Sequence, residues 1–128
     1  MKLHAAHVLN ALDSSLEPKG PGSGYGVKKA ASGAVQHLEL AVQAEGVTAN
    51  IKTHAAQVSA TLNNVLQWTD QAVNMAQKIR QSTSASEAAA VVNELAALTK
   101  NISERGLQQA KASMDLMMKG EGLENAPR

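Results

Sequence analysis

Four histidines are the side chains of this sequence best suited to chemistry: His4, His7, His37 and His54. His4 and His7 are three residues apart, so on a helix their rings lie about one turn from each other and can hold a single ion. Neutral imidazole nitrogens suit Zn²⁺, Cu²⁺ or Ni²⁺, whereas Ca²⁺ prefers carboxylate oxygens. The chain has no cysteine, which excludes thiolate metal sites, disulfides and thiol nucleophiles. The residue types therefore predict a divalent transition-metal site.

Motifs of the common enzyme classes are missing from the sequence. It contains no His-Glu-x-x-His, no Gly-x-Ser-x-Gly and no lysine-bearing phosphate loop. The glycine-rich stretch at residues 20–26 lacks the preceding strand that a phosphate cradle needs. We therefore expect a protein that binds rather than catalyses.

Helix-breaking residues divide the chain into four segments that must position the histidines. Residues 17–24 form a linker rich in proline and glycine, and residues 46–48 and 81–86 are shorter breaks. Thr48 and Ser84 have the types and spacing of helix N-caps, and Lys119-Gly120 has those of a helix end. Apolar residues recur with a helical period in segments of about 15, 20, 33 and 35 residues. This pattern predicts an all-α, up-down antiparallel four-helix bundle with a short first helix.

The connections between these helices predict where the histidines meet. If consecutive helices fold back beside each other, all four imidazoles lie in one layer, together with residues 112–114 of the last helix. The helix faces agree less well, because His37 and His54 fall at the boundaries of their apolar stripes and His7 lies away from the main stripe of its helix. The alternative is that the histidines are solvated or make single hydrogen bonds.

Composition limits the classes of partner. Twelve basic and eleven acidic residues give a net charge of +1, which provides no electrostatic basis for nucleic-acid binding. The longest uncharged run, residues 54–69, contains several amide side chains and does not predict membrane insertion. We expect residues 1–120 to form a single domain, followed by a flexible C-terminal tail at residues 121–128.

Several short stretches resemble a known family. They are His4-Ala5-Ala6-His7 with Val8-Leu9-Asn10, then Gly24-Tyr25-Gly26, His37-Leu38, and Asn50 to Ala55 around His54, with Trp68 beyond. Together these stretches resemble the small metal-binding protein family, which comprises exported bacterial four-helix bundles whose histidines bind divalent transition metals. The resemblance covers roughly residues 4–79, and it implies His4, His7, His37 and His54 as ligands.

The sequence also departs from that family. Its members carry many histidines, whereas this chain has Gln57 and Ser113 where further histidines are expected, so the resemblance implies one site rather than high capacity. It implies a periplasmic protein. The start of the sequence, Met1-Lys2-Leu3-His4, lacks the apolar run of a signal peptide, so a cytoplasmic location is the alternative.

A structural or protein-interaction bundle without a metal site is the competing function. This hypothesis predicts an exposed apolar patch, which we expect on the fourth helix, and either self-association or a protein partner that contacts a helix face.

Overall fold

The computed structural model describes residues 1–123 and contains only helices and their connections. The helices are α1 (Lys2–Leu12), α2 (Gly26–Gln43), α3 (Ala49–Gln81), α4 (Ala85–Asn101) and α5 (Gln108–Gly120). A π-helical segment, Ile102–Leu107, joins α4 to α5 without a break, so the three form one long fourth helix. The predicted all-α four-helix bundle with a short first helix is thus confirmed. Most of the predicted tail, residues 124–128, lies outside the described residues.

Side-chain caps fix two of the helix starts as predicted. The Thr48 hydroxyl accepts a hydrogen bond from the Ile51 amide at 3.1 Å, and the Ser84 hydroxyl accepts one from the Glu87 amide at 3.2 Å. Each cap satisfies an N–H group that the first turn of a helix leaves without a partner. Among residues 1–123, no helix combines the length and apolar character needed to cross a lipid bilayer.

The central element of the bundle is α3, because every other helix packs against it. In contrast, no Cα atom of α2 lies within 8 Å of a Cα atom of α5, and no Cα atom of α1 lies within 8 Å of a Cα atom of α4. Alanine and branched aliphatic residues fill the core, which brings helix backbones close together. The buried residues of α3 form its centre: Ala55, Val58, Leu62, Val65, Thr69, Ala72, Val73, Ala76 and Ile79.

Helices α1 and α2 cover successive parts of α3. Lys2, at the start of α1, lies in a surface pocket beside Ile79 near the end of α3. The start of α2 lies about nine residues closer to the N-terminus of α3, where Lys28 Nζ is 2.7 Å from Asp70 Oδ1. The first helix therefore lies along the C-terminal part of α3, and α2 runs from the level of Asp70 along the N-terminal half.

The loop between α1 and α2 is folded around the side chain of Asn10, which is 1% exposed. Its Nδ2 donates to the Glu17 carbonyl at 2.7 Å, and its Oδ1 accepts from the Gly22 amide at 2.9 Å. A Cβ on Gly20 would stand only 2.6 Å from Asn10 Cγ, so only glycine fits there. The predicted linker is thus held to the bundle, with Glu17 also paired to Arg80 at 3.1 Å.

The π-helical segment lets α4 and α5 pack on one side of α3. The Gln108 amide donates to the Ser103 carbonyl, five residues back, as in a π-helix. Gly106 is buried in this segment, and a Cβ there would overlap Val65 Cγ2 and touch the Trp68 ring. The close approach of the two backbones at this point therefore depends on glycine.

Candidate functional site

The structure brings two of the four predicted ligands together. The ring centroids of His4 and His7 are 6.1 Å apart, with the ring planes at 81°. His4 is exposed and His7 is half-buried, one turn further along α1. Within residues 1–123 neither ring forms a hydrogen bond, so their nitrogens are available to a ligand.

The separation of these rings is close to what one shared ion requires. Imidazole nitrogen binds Zn²⁺ at about 2.0–2.1 Å, which puts the ion about 3 Å from the ring centre. Two rings on one tetrahedral ion therefore have centres about 5 Å apart. A small rotation about the side-chain bonds of exposed His4 is sufficient to close the remaining distance.

His54 lies on the first two turns of α3, on the side that faces α5. Asn50, one turn earlier, donates from Nδ2 to the Met117 carbonyl at 3.0 Å, which fixes the register of α3 and α5. The His54 side chain is half-buried, and its Nδ1 atom is buried with no hydrogen-bond partner in the described part of the chain. Such an atom is costly for the fold, since it loses water without gaining a protein partner.

His37 is exposed on α2, where its side chain contributes to the lining of an apolar groove. Val58 and Leu62 of α3 form part of the same lining, so His37 lies one to two turns further along α3 than His54. The two rings have different surroundings, because His37 is exposed beside the groove, whereas His54 is half-buried one turn after Asn50, which bonds to α5.

The prediction that all four imidazoles share one layer is wrong. Because Lys2 lies beside Ile79, the rise of 1.5 Å per residue puts His7 roughly 30 Å from His54 along the α3 axis, and roughly 20 Å from His37. In the described residues 1–123, no group of three or more histidine, aspartate or glutamate side chains is arranged to hold a metal ion. Of the four histidines, which all lie in the described part of the chain, His4 and His7 are the two whose rings are in contact.

Helix lengths explain this error. The 33 residues of α3 span about 50 Å, whereas the 18 residues of α2 span about 27 Å. On the side of α3 where α2 lies, the C-terminal part would be left without a cover, and α1 covers it with its apolar side chains Ala5, Leu9 and Leu12. The gain from burying this surface places α1 beyond the start of α2 rather than beside it.

An apolar groove lies between α2 and α5, with α3 as its floor. Its volume is about 450 Å³, and its only polar lining side chains are His37 and Lys111. Lys111 Nζ is paired with Asp115 Oδ2 at 2.5 Å on the rim. One wall consists of small residues of α2, and the other consists of larger residues of α5 and of the end of the π-helical segment. Ala30, Ala34 and Ala41 face Leu107, Met114 and Met117.

Sequence reasoning missed this groove. It predicted an apolar patch on the fourth helix, which supplies only one of the two walls. A signal was present in α2, where Ala30, Gly33, Ala34, Leu40 and Ala41 give the helix a second apolar side in addition to the one on α3.

Contacts between helices shift the pKa values of Lys28 and Glu121. The hydrogen bond to Asp70 raises the pKa of Lys28. Hydrogen bonds from the Thr48 hydroxyl and the Asn50 amide lower the pKa of Glu121, since they stabilise its carboxylate. Both contacts hold helices together, and neither involves a histidine.

Comparison of the chain with protein-family models, with curated proteins and with solved structures finds no match.

Proposed function

We propose that this chain binds one divalent transition-metal ion through His4 and His7, without catalysing a reaction. The observation that carries the proposal is the 6.1 Å separation of the two ring centroids on one helix. Two imidazoles favour Zn²⁺, Cu²⁺ or Ni²⁺ over cations that prefer oxygen. His37 and His54, which the resemblance also implied, are not part of this proposed site.

The exposure of the pair defines what kind of binding it supports. His4 borders solvent, so water molecules complete the coordination and the ion exchanges readily. Two protein ligands make a weaker site than the three or four of a structural zinc centre. The proposed role is therefore reversible uptake of a single ion, which suits a periplasmic protein of the kind that the resemblance implies.

Calorimetric titration of the untagged chain with Zn²⁺ at pH 7.5 tests the proposal. We expect one ion per chain with a Kd on the order of 10 μM, and binding at least about tenfold weaker in both His4→Ala and His7→Ala. Protons compete with metals for imidazole nitrogen, so affinity should fall when the titration is repeated at pH 5.5.

His37→Ala is the matched control, because it removes an exposed histidine that lies away from the pair. It should bind zinc as the wild type does. Equal losses in His37→Ala and His7→Ala, or no saturable heat with the wild type, would contradict the proposal.

Protein interaction is a second candidate function, and the apolar groove between α2 and α5 is the specific observation that favours it. Grooves of this size and lining are common at binding sites.

A further inference from the structure

The apolar groove between α2 and α5 has room for one further helix. Helices α2 and α5 both pack on α3, yet no Cα of one lies within 8 Å of a Cα of the other. The three helices therefore occupy three corners of a square, as in a four-helix bundle whose fourth corner is vacant. A rod of helical width fits that corner and would contact both walls.

The exposed side of α2 carries small and apolar side chains that could pack in such a corner. At about 100° per residue, Ala30, Ala34, His37 and Ala41 face the groove, and Gly33 and Leu40 follow on the side opposite α3. Leu40 is 63% exposed although it lies in the middle of a helix. Of the charged residues of α2, Lys28 and Glu39 lie on another side of the helix, and exposed Lys29 lies next to Leu40 in angle. The exposed surface therefore contains no acidic residue.

We infer that the occupant is α2 of a second copy of this chain. A two-fold axis between the two α2 helices places each of them in the groove of the other copy, so both vacant corners are filled at once. This interface is closed and self-complementary, as in most homodimers. In it the alanine stripes of the two α2 helices pack against each other, and Leu40 of each copy contacts the α5 wall of the other.

The size of this contact suits a stable dimer. Helix α2 has 18 residues, so it is about 27 Å long and about 10 Å wide. Each copy would contribute one strip of this length between the α2 helices and two shorter strips between α2 and α5, because the 13 residues of α5 span only about 20 Å. The sum is about 700 Å² per copy, within the roughly 600–1,000 Å² that a standard stable complex buries on each partner. The inference does not depend on metal binding, since His4 and His7 lie along the other half of α3.

Sedimentation equilibrium of the full chain tests the dimer. The wild type should have twice the 13.4 kDa mass of one chain, with a dissociation constant of about 1–100 μM. Leu40→Glu should be monomeric at concentrations where the wild type is dimeric, because it would bury a carboxylate against an apolar wall. Ala30→Glu, a second exposed groove position, should act in the same way.

Leu116→Glu and Ala89→Glu are the matched controls, because they change an exposed leucine of α5 and an exposed alanine of α4 outside the groove. Both should remain dimeric. Since all four residues are exposed, circular dichroism should show the helical content of the wild type in each variant. A monomeric wild type would overturn the inference, whether or not another protein or an apolar molecule binds the groove. A dimer that Leu116→Glu disrupts and Leu40→Glu leaves intact would overturn it too.

Discussion

Asn10 is almost completely buried, and its amide group joins the carbonyl of Glu17 to the amide of Gly22. A buried polar side chain is tolerated only where its hydrogen bonds are made, and here both partners come from one loop. Asn10 thereby fixes the path between α1 and α2. Asn10 belongs to one of the stretches that resemble the small metal-binding protein family, but nothing in the sequence indicated that its side chain would hold a loop.

Asn10→Ala should lower the free energy of unfolding by about 1–3 kcal/mol, because it removes both hydrogen bonds of a buried side chain that holds the loop. Urea denaturation followed by circular dichroism measures the change. Asn10→Asp retains the acceptor for Gly22 and loses the donor to Glu17, so it separates the two hydrogen bonds. Wild-type stability in Asn10→Ala would show that the loop is not held by this side chain.

The histidines were only partly predictable at the residue scale. A spacing of three residues on one helix fixes the His4–His7 pair without any knowledge of the tertiary structure, and the structure contains that pair. Contact between different helices depends on which helices are neighbours and at what level. For His37 and His54 the sequence alone does not supply that information.

At the scale of elements, helix ends were predictable and helix placement was not. Thr48 and Ser84 cap α3 and α4 as their types and positions predicted, since capping is a local interaction. The position of α1 depends on a comparison of lengths, because α2 is too short to cover α3. This comparison could have been made from the predicted segments of about 20 and 33 residues, and it would have separated His7 from His54.

The π-helical segment is another element whose sequence signal was weak. Gly106 was visible as a glycine inside a helical pattern, where it normally costs about 1 kcal/mol relative to alanine. The structure shows the reason for it, since Val65 occupies the space that a side chain would need.

Gly106→Ala should therefore destabilise the protein by about 1–3 kcal/mol, because the overlap with Val65 outweighs the gain in helix propensity. Chemical denaturation measures the effect. A double-mutant cycle with Val65→Ala is the control, since the smaller side chain makes room for the new methyl group and the combined loss should be less than the sum. A stabilised Gly106→Ala would mean that α3 and the π-helical segment are not in close contact.

Glu121 connects the end of the fourth helix to the start of α3. Its Oε1 accepts from the Thr48 hydroxyl at 2.5 Å and from Asn50 Nδ2 at 2.8 Å, and these bonds lower its pKa below the usual 4.5. A lowered pKa in the folded state stabilises the fold above the unfolded-state pKa, and this contribution is lost as the pH falls through the folded-state value.

We therefore expect Glu121→Gln to lower the melting temperature slightly at pH 7 and by less at pH 3, because the wild-type carboxyl takes up protons as the pH falls toward its folded-state pKa. The effect is small because the group is exposed to solvent. Glu94→Gln, which changes an exposed glutamate of α4, is the control and should match the wild type at both pH values. An equal destabilisation by Glu121→Gln at pH 7 and pH 3 would exclude the carboxylate as the cause.

At the scale of the whole molecule, composition and periodicity were sufficient for the fold class. Alanine-rich amphipathic segments separated by short breaks predicted four helices, and the structure confirms them. The vacant corner between α2 and α5 could not be predicted in the same way, because it depends on how three helices divide the surface of α3. The structure thus separates two regions, a histidine pair along one half of α3 and an apolar groove along the other.

In the proposed site, His4 and His7 share a metal ion, and His37 and His54 do not take part. Nuclear magnetic resonance of the four histidine ring C–H signals during a zinc titration tests it most directly, since each ring is observed separately. The signals of His4 and His7 should change together and saturate at one zinc per chain, with those of His37 and His54 unchanged. Changes in the His37 or His54 signals with the same midpoint, or no change in any ring, would contradict the account.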